Sequence, residues 1–137
     1  MGEIVNLNIR GLKTENLRSE KVILVQKILS EHKTKILSLQ ETRINSLNEI
    51  PKQFTNFDHV YNIEICEAPN SDPGSGIIVF VKKTAEIVTR KTLVPGRILY
   101  QKFKNIASSE LTNIFSIYPK SNVSKSFAEN FIQNIDN

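Results

Sequence analysis

Apolar and polar residues alternate at the start of the chain in blocks that predict a strand, a helix and a second strand. The alternation over Glu3–Ile9 predicts the first strand. Apolar residues then recur at helical spacing over Leu17–His32, and Thr14 or Asn16 could cap the start of that helix. The apolar run Ile36–Leu39 predicts a buried strand. A strand–helix–strand unit of this length favours two parallel strands.

The middle of the chain is more polar and contains many turn-forming residues. We expect Ile44–Phe57, which contains Pro51, to be a polar loop. The alternation over His59–Ile65 predicts another strand. Proline, glycine, asparagine and aspartate crowd Ala68–Gly76, which is typical of a turn region.

The second half of the sequence predicts short strands joined as antiparallel hairpins. Breaks at Thr84, Pro95-Gly96 and Asn105–Ser109 give the close spacing that hairpins require. The predicted strands are Ile77–Lys82, Glu86–Leu93, Ile98–Lys104 and Leu111–Tyr118.

The end of the sequence predicts an amphipathic helix over Ser124–Ile135. Phe127, Phe131 and Ile132 recur on one of its faces, and Ser124 or Ser126 could cap its start. A further strand should follow such a helix in this order of elements. We therefore expect the chain to be an interrupted α/β domain, a single partial domain over residues 1–137.

Composition places the chain among globular proteins with one hydrophobic core. Of its 137 residues 39% are hydrophobic and 23% are charged. The single cysteine, Cys66, excludes a disulfide within this sequence, and His32 and His59 are poorly spaced to form a zinc site with it. No signal peptide and no apolar run of transmembrane length is present, so we expect an intracellular protein, nuclear or cytoplasmic, without a membrane partner.

Positive charge is concentrated in the second half of the sequence. Nine lysines and arginines lie between Lys82 and Lys125 against two acids, whereas the rest of the chain is net acidic. Such asymmetry indicates a basic face that could contact phosphates. The alternative is a set of lysines that keep edge strands from pairing with other chains.

Polar side chains follow the two strands that are predicted to be parallel. Asn6 and Asn8 lie on one face of the first strand, and Glu41 comes directly after the second. Because parallel strands share a carboxyl edge, Asn8 and Glu41 should approach one another where ligand sites collect in α/β sheets. Glu41 is therefore a candidate for binding a metal or for acid–base work. On this stretch alone, a solvated glutamate that opens a loop is the favoured interpretation, and the asparagines could equally cap the following turn.

Five stretches of the chain follow one another in an order that resembles one family. They are Asn6–Leu12, Ile36–Thr42, Gly74–Phe80, Pro95–Tyr100 and Asn113–Pro119. Together with the C-terminal helix they resemble the endonuclease/exonuclease/phosphatase superfamily (DNase I-like). The resemblance is closest to the apurinic-endonuclease-like domain of non-LTR (LINE-type) retrotransposons, and it spans nearly the whole chain.

This resemblance implies a fold, an activity and partners. The fold would be the first half of a DNase I-like four-layer α/β sandwich, and the chain would supply roughly its first sheet with the flanking helices. The activity would be Mg²⁺- or Mn²⁺-dependent hydrolysis of phosphodiester bonds that nicks target DNA, with no small-molecule cofactor. The implied partners are DNA and a reverse transcriptase in the same polyprotein.

The resemblance also implies site residues. Asn8 matches the asparagine beside the catalytic metal, Glu41 the glutamate that binds the metal, and Tyr118 the tyrosine that faces the scissile phosphate. Within the basic stretch, Arg97 and Lys120 are predicted to bind nucleic acid.

The sequence departs from the family pattern in two places. The family usually has an alanine between the tyrosine and the proline, whereas Tyr118 and Pro119 are adjacent here. The Gly-Asp-Phe-Asn and Ser-Asp-His motifs, which carry the catalytic aspartate, second asparagine and histidine, are absent from these residues. We therefore expect this piece to be inactive or nearly so. The alternatives are a non-catalytic nucleic-acid-binding remnant and a phosphatase of small phosphoesters.

Overall fold

The computed structural model describes residues 3–12 and 19–119, which form seven strands and short helices. The predicted order of the strands and of the first helix is confirmed over these residues. The strands are β1 (Glu3–Asn8), β2 (Thr34–Gln40), β3 (Tyr61–Cys66), β4 (Ile77–Lys82), β5 (Ala85–Val94), β6 (Ile98–Asn105) and β7 (Leu111–Ile117). The helices are α1 (Glu20–Ser30), a 3₁₀ turn (Leu47–Glu49) and α2 (Lys52–Thr55).

The first sheet has four strands in the order β1-β2-β4-β3. β1 runs parallel to β2, as the strand–helix–strand pattern predicts, and Asn8 lies opposite Gln40. β4 runs antiparallel to both β2 and β3. The carboxyl ends of β1 and β2 therefore share one edge with the start of β4 at Ile77.

The second sheet has three antiparallel strands in the order β5-β6-β7. The hairpin prediction is confirmed for these strands, but it is wrong between β4 and β5. Hydrogen bonds to β2 and β3 already occupy both edges of β4, so the chain crosses to the other sheet at Thr84. The expectation that the chain supplies roughly the first sheet is corrected, because the described residues also build the three strands of a second sheet.

Two layers of apolar side chains hold these elements together. One layer lies between the first sheet and its helices, and it includes Val25, Leu37 and Phe80. The other lies between the sheets, where Val79 from β4 meets Leu99 and other side chains of β6. β4 is thus covered on both faces, and this explains its continuous apolar sequence.

The segment predicted as a polar loop, Ile44–Phe57, instead contains the 3₁₀ turn and α2. Ile44, Ile50 and Phe54 are buried in the layer beneath α1, and the Phe54 ring lies edge-on to that of Phe80 at 6.1 Å between centroids. The apolar residues are too widely spaced to give a periodic signal, although each anchors the segment.

Several predicted features lie outside the described residues. They include the caps at Thr14 and Asn16, the side chain of Lys120 and the helix over Ser124–Ile135. Within the described part, Ser19 precedes α1 without making a side-chain capping hydrogen bond. No helix among residues 3–12 and 19–119 has the length and apolar character needed to cross a bilayer.

Candidate active site

Backbone hydrogen bonds continue past the ends of the strands and join both sheets at one edge. On the first sheet, the Gly11 N–H donates to the Glu41 carbonyl at 2.7 Å, and the Arg43 N–H donates to the Ser75 carbonyl at 2.8 Å. The Gly76 N–H then donates to the Gly96 carbonyl at 2.9 Å, and this bond links the first sheet to the β5–β6 turn. The loops at this edge are therefore mutually supported.

Glu41 and Tyr118 meet at this edge although they are far apart in sequence. The Tyr118 hydroxyl donates a hydrogen bond to Glu41 Oε1 at 2.5 Å. Arg43 donates to the other carboxylate oxygen at 2.9 Å. Glu41 has a φ of 56°, a left-handed conformation that is uncommon for a non-glycine residue and turns the chain sharply after β2. Such strained residues cluster at functional sites.

Asn8 is the third side chain of this cluster. Its Oδ1 accepts a hydrogen bond from the Arg10 N–H at 3.1 Å, so it caps the turn after β1. Its side chain also lies close enough to Glu41 to help lower the pKa of the carboxyl group. The capping and site interpretations of Asn8 are thus compatible. The structure brings together Asn8, Glu41 and Tyr118, while their catalytic roles stay predictions.

These contacts set the protonation of the pair. The Tyr118 hydrogen bond, the largest influence, lowers the pKa of Glu41; Arg43 lowers it further, while partial burial opposes both. The same hydrogen bond raises the pKa of Tyr118, with burial adding to the effect. At neutral pH Glu41 is therefore an ionised carboxylate, and it accepts a hydrogen bond from the protonated hydroxyl of Tyr118.

Arg97, predicted to bind nucleic acid, points toward the protein at this edge. Its Nε and Nη2 donate to the two carboxylate oxygens of Asp72, each at 2.7 Å. Its guanidinium carbon lies 4.6 Å from the centre of the Tyr118 ring. The phosphate contact of Arg97 stays a prediction, and so does that of Lys120.

The sequence pattern did not single out Arg43, which contacts Glu41, or Asp72, which contacts Arg97. Asp72 lies within a run of turn residues, where an aspartate is ordinary. Arg43 stands two residues after Glu41, and this spacing is a weak signal of an ion pair across a turn. Only the folded loops show which partners these charges meet.

A polar path continues from the cluster into the interior. The Gln40 amide donates to Asn6 Oδ1 at 3.3 Å and to Ser38 Oγ at 2.9 Å. Ser38 Oγ in turn donates to Ser116 Oγ of the second sheet at 3.2 Å, and both serines are buried. The path aligns β2 with β7, and thus Glu41 with Tyr118.

The donor set fits a hard divalent cation, although it is small. Glu41 offers a carboxylate and Asn8 an amide oxygen, the ligand types that Mg²⁺ prefers, and Mg²⁺ commonly keeps several waters. Among residues 3–12 and 19–119, no group of three His, Cys, Asp or Glu residues could hold a metal on its own. Any ion here would depend on water and substrate oxygens for its remaining ligands.

A basic face lies away from this cluster, on the outer side of the second sheet. Leu99, Gln101 and Phe103 of β6 are buried, so the alternate residues face outward. The outward residues include Tyr100, Lys102 and Lys104 on β6 with Lys91 on β5, and we call these four the basic face. Glu86 of β5 lies opposite Lys104 on the same face. The Tyr100 ring packs against that of Phe115 at 4.9 Å between centroids.

The architecture defines a class of fold. A mixed sheet and an antiparallel sheet pack face to face, and a carboxylate, an amide and a phenol meet at one shared edge. This is the DNase I-like α/β fold, and the fold predicted from sequence is confirmed.

Two solved structures share this fold at low sequence identity. The AP endonuclease LMAP from Leishmania major aligns with a TM-score of 0.59 at 18% identity, covering 96% of this chain and 44% of that chain. The catalytic domain of APE2 from Xenopus laevis aligns with a TM-score of 0.53 at 14% identity, covering 93% and 48%. The chain thus spans less than half the length of these structures. The sequence matches no protein-family model and no curated protein.

Proposed function

We propose that this chain is the N-terminal part of a divalent-metal-dependent phosphodiesterase that nicks DNA, of the kind found in LINE-type retrotransposons. The observation that carries the proposal is the 2.5 Å hydrogen bond between Tyr118 and Glu41, beside Asn8. The AP endonucleases that share the fold support the proposal at the level of architecture.

Each residue of the cluster has chemistry that suits phosphodiester hydrolysis. Glu41 and Asn8 would hold Mg²⁺ or Mn²⁺, and the ion, when bound, would neutralise charge on the phosphate and the leaving oxygen. The Tyr118 hydroxyl keeps its proton at neutral pH, and it can donate to a phosphoryl oxygen where charge develops. The Asn8 amide can do the same.

Metal binding tests the cluster without requiring catalysis. We expect the chain to bind Mn²⁺, measured by the loss of the free-ion electron paramagnetic resonance signal, and Glu41→Gln to weaken binding by about tenfold or more. Glu110→Gln, which removes an exposed glutamate from the β6–β7 loop, is the matched control and should change nothing. Equal Mn²⁺ binding by wild type and Glu41→Gln would refute the metal site.

The isolated chain should show little catalysis, since the motifs that supply the general base and the second asparagine are not in this sequence. A supercoiled plasmid incubated with the chain and Mg²⁺ or Mn²⁺ should be nicked no faster than with Glu41→Gln. Rapid nicking that Glu41→Gln abolishes would show that these residues are sufficient and that the expected inactivity is wrong.

The retrotransposon origin is tested by the genomic sequence downstream of Asn137. An in-frame continuation with the Asp/Asn and Asp/His motifs, followed by a reverse transcriptase, would support this origin, and a stop codon there would indicate a decayed copy. Such an enzyme would act inside the cell, in the nucleus or the cytoplasm. A continuation with these motifs but without a reverse transcriptase would support the nuclease function and refute the retrotransposon origin.

A second candidate function is nucleic-acid binding without catalysis, and the basic face favours it. Three lysines flank the packed rings of Tyr100 and Phe115 on one exposed sheet surface. Lysines bind phosphates, and aromatic rings can stack on unpaired bases. Their arrangement on one face supports a binding surface more than it supports scattered edge-strand protection.

Salt dependence tests this second function. Affinity for a fluorescent oligonucleotide should fall steeply with salt, and the double variant Lys102→Gln/Lys104→Gln should reduce the slope of log K against log salt by about 2. Lys33→Gln, at an exposed lysine beside the first sheet, is the control. Affinity that does not change with salt would rule out this surface.

A further inference from the structure

We propose that Asp72 and Arg97 are positioning residues for Tyr118. Asp72 holds the Arg97 guanidinium, and that planar group supports the Tyr118 ring so that its hydroxyl meets Glu41. The catalytic consequence rests on the proposed function, whereas the positioning itself rests on contacts present in the folded chain.

The Asp72–Arg97 pair is bidentate and largely shielded from solvent. Both N–H···O distances are 2.7 Å, and the side chains are only 12% and 16% exposed for Arg97 and Asp72 respectively. Paired contacts of this geometry define the plane of a guanidinium as well as its place. The Asp72 hydrogen bond, the largest influence, raises the pKa of Arg97.

Arg97 contacts Tyr118 through both its side chain and its backbone. The guanidinium carbon stands 4.6 Å from the ring centre, within the range of a cation–π interaction. The Tyr118 N–H donates to the Arg97 carbonyl at 2.7 Å, and Arg97 Nη1 lies 3.5 Å from the Tyr118 carbonyl. The tyrosine is thus held at its ring and at both of its backbone polar groups.

The loop that carries Asp72 is also attached to the strand end that carries Glu41. Ser75 donates to the Asp72 carbonyl through its N–H at 3.2 Å and through its hydroxyl at 2.8 Å. The Ser75 carbonyl accepts from the Arg43 N–H, two residues after Glu41. The contacts therefore form a closed network. It runs from Glu41 through this loop to Arg97, then to Tyr118, and the Tyr118 hydroxyl returns to Glu41.

These contacts give Arg97 a role within the protein, and its predicted contact with nucleic acid stays a prediction. The two N–H groups that face Asp72 are engaged, and one side of the guanidinium faces the tyrosine ring. An arginine so placed acts on a substrate through Tyr118. Lysine could not replace it, because an ammonium group offers neither the fork nor the plane.

The test measures the Tyr118–Glu41 contact directly by NMR, with no metal or substrate present. Tyr118→Phe identifies the Tyr118 ring signals, since the chain has only three tyrosines. We expect nuclear Overhauser contacts between the Tyr118 ring and the Glu41 side chain in the wild type, reduced at least about fivefold in Arg97→Met, Asp72→Asn and Arg97→Lys. The signals of Tyr61 and Tyr100 should not move.

Arg90→Met is the matched control for lost stability. Arg90 also pairs with a carboxylate, Glu64, at 2.9 Å, but it does so between β5 and β3, away from Tyr118. It should lower stability while leaving the Tyr118–Glu41 contact intact. If Arg97→Met does not fold, the same NMR measurement is made on the charge-exchanged variant Asp72→Arg/Arg97→Asp and on the milder Asp72→Asn.

The outcomes separate this inference from the proposed function. Persistence of the contact in folded Asp72→Asn and Arg97→Lys overturns the positioning role, whatever the chain does with metal. Loss of the contact in these variants, and not in Arg90→Met, supports it. A wild-type chain that shows the contact but binds no Mn²⁺ refutes the metal site and leaves the positioning role standing.

Discussion

At the scale of single residues, the two oxygens of Glu41 accept hydrogen bonds from opposite directions. Tyr118 reaches Oε1 from the second sheet, and Arg43 reaches Oε2 from the loop beyond β2. A carboxylate held by two donors is stabilised in its charged form. Its contribution to folding therefore depends on pH.

Glu41→Gln should lower stability at neutral pH and have less effect in acid. Because the folded-state pKa of Glu41 is lowered, its carboxylate stabilises the fold above the unfolded pKa, and this contribution is lost as pH falls through the folded value. We expect a loss of about 1–2 kcal/mol near pH 7 that is smaller at an acid pH below the ordinary glutamate value of about 4.3, measured by urea unfolding. Glu110→Gln, at an exposed glutamate, is the control and should change stability by less than about 0.5 kcal/mol. A constant difference at both pH values would contradict the linkage.

A glycine in the β5–β6 turn lets two loops approach closely at the same edge. Gly96 has a φ of +70°, and a Cβ placed there would lie 2.1 Å from the hydroxyl oxygen and 2.9 Å from the Cβ of the buried Ser75. Gly74 has no atom within 4 Å of the equivalent position. An alanine Cβ would therefore clash with Ser75 at position 96 and meet open space at position 74.

Gly96→Ala should cost about 2–4 kcal/mol, because it adds both a clash and backbone strain. Gly74→Ala should change stability by less than about 0.5 kcal/mol. Thermal or urea unfolding of the two variants measures the difference. Equal stability of the variants would mean that the Ser75–Gly96 approach is not tight in solution.

At the scale of elements, polar side chains between the sheets are of two kinds. Gln40, Ser38 and Ser116 form a connected path that aligns β2 with β7. Gln101 on β6 is completely buried, and neither of its amide atoms has a hydrogen-bond partner among the residues that the structure describes. Connected polar groups specify the alignment of the sheets, while an unpaired one costs free energy.

Gln101→Met should stabilise the chain by about 1 kcal/mol, because it replaces an unpaired amide with an apolar group of similar length. Gln40→Met is the matched control, since the same change there removes hydrogen bonds to Asn6 and Ser38 and should destabilise. Urea unfolding gives both values. A destabilised Gln101→Met would show that this amide has a partner in solution.

At the scale of the whole molecule, the two sheets differ in how well they are covered. The first sheet is packed against helices on one face and against the second sheet on the other. Within residues 3–12 and 19–119, β5 has mostly exposed or half-buried residues, whereas five of the six residues of β4 are buried. Local stability should follow this burial.

Native-state hydrogen exchange should therefore protect β4 most and β5 least. We expect the ladder amides of β4 to exchange at least about tenfold more slowly than those of β5, because opening the central strand requires the loss of both apolar layers. Mass spectrometry of peptides covering Ile77–Lys82 and Ala85–Val94 measures this. Equal protection would indicate that the sheets open as one unit.

The sequence alone determined the order of the strands, the parallel pairing of β1 with β2 and the approach of Asn8 to Glu41. Each follows from local periodicity and from the rule that parallel strands share a carboxyl edge. Periodicity does not report pairing partners, so the assignment of β4 and β5 to different sheets appeared only in the fold. The resemblance supplied Tyr118 as a site residue, but no local pattern could give its distance from Glu41.

Tertiary structure alone decided which charges meet. Asp72 and Arg97 come from separate loops, and their pairing depends on how those loops pack where the two sheets join. Arg97 thereby faces Tyr118, a contact that no local pattern in the sequence predicted. Hydrophobic spacing is local and can be read along a chain, whereas a charge acquires its role from partners that only long-range packing supplies.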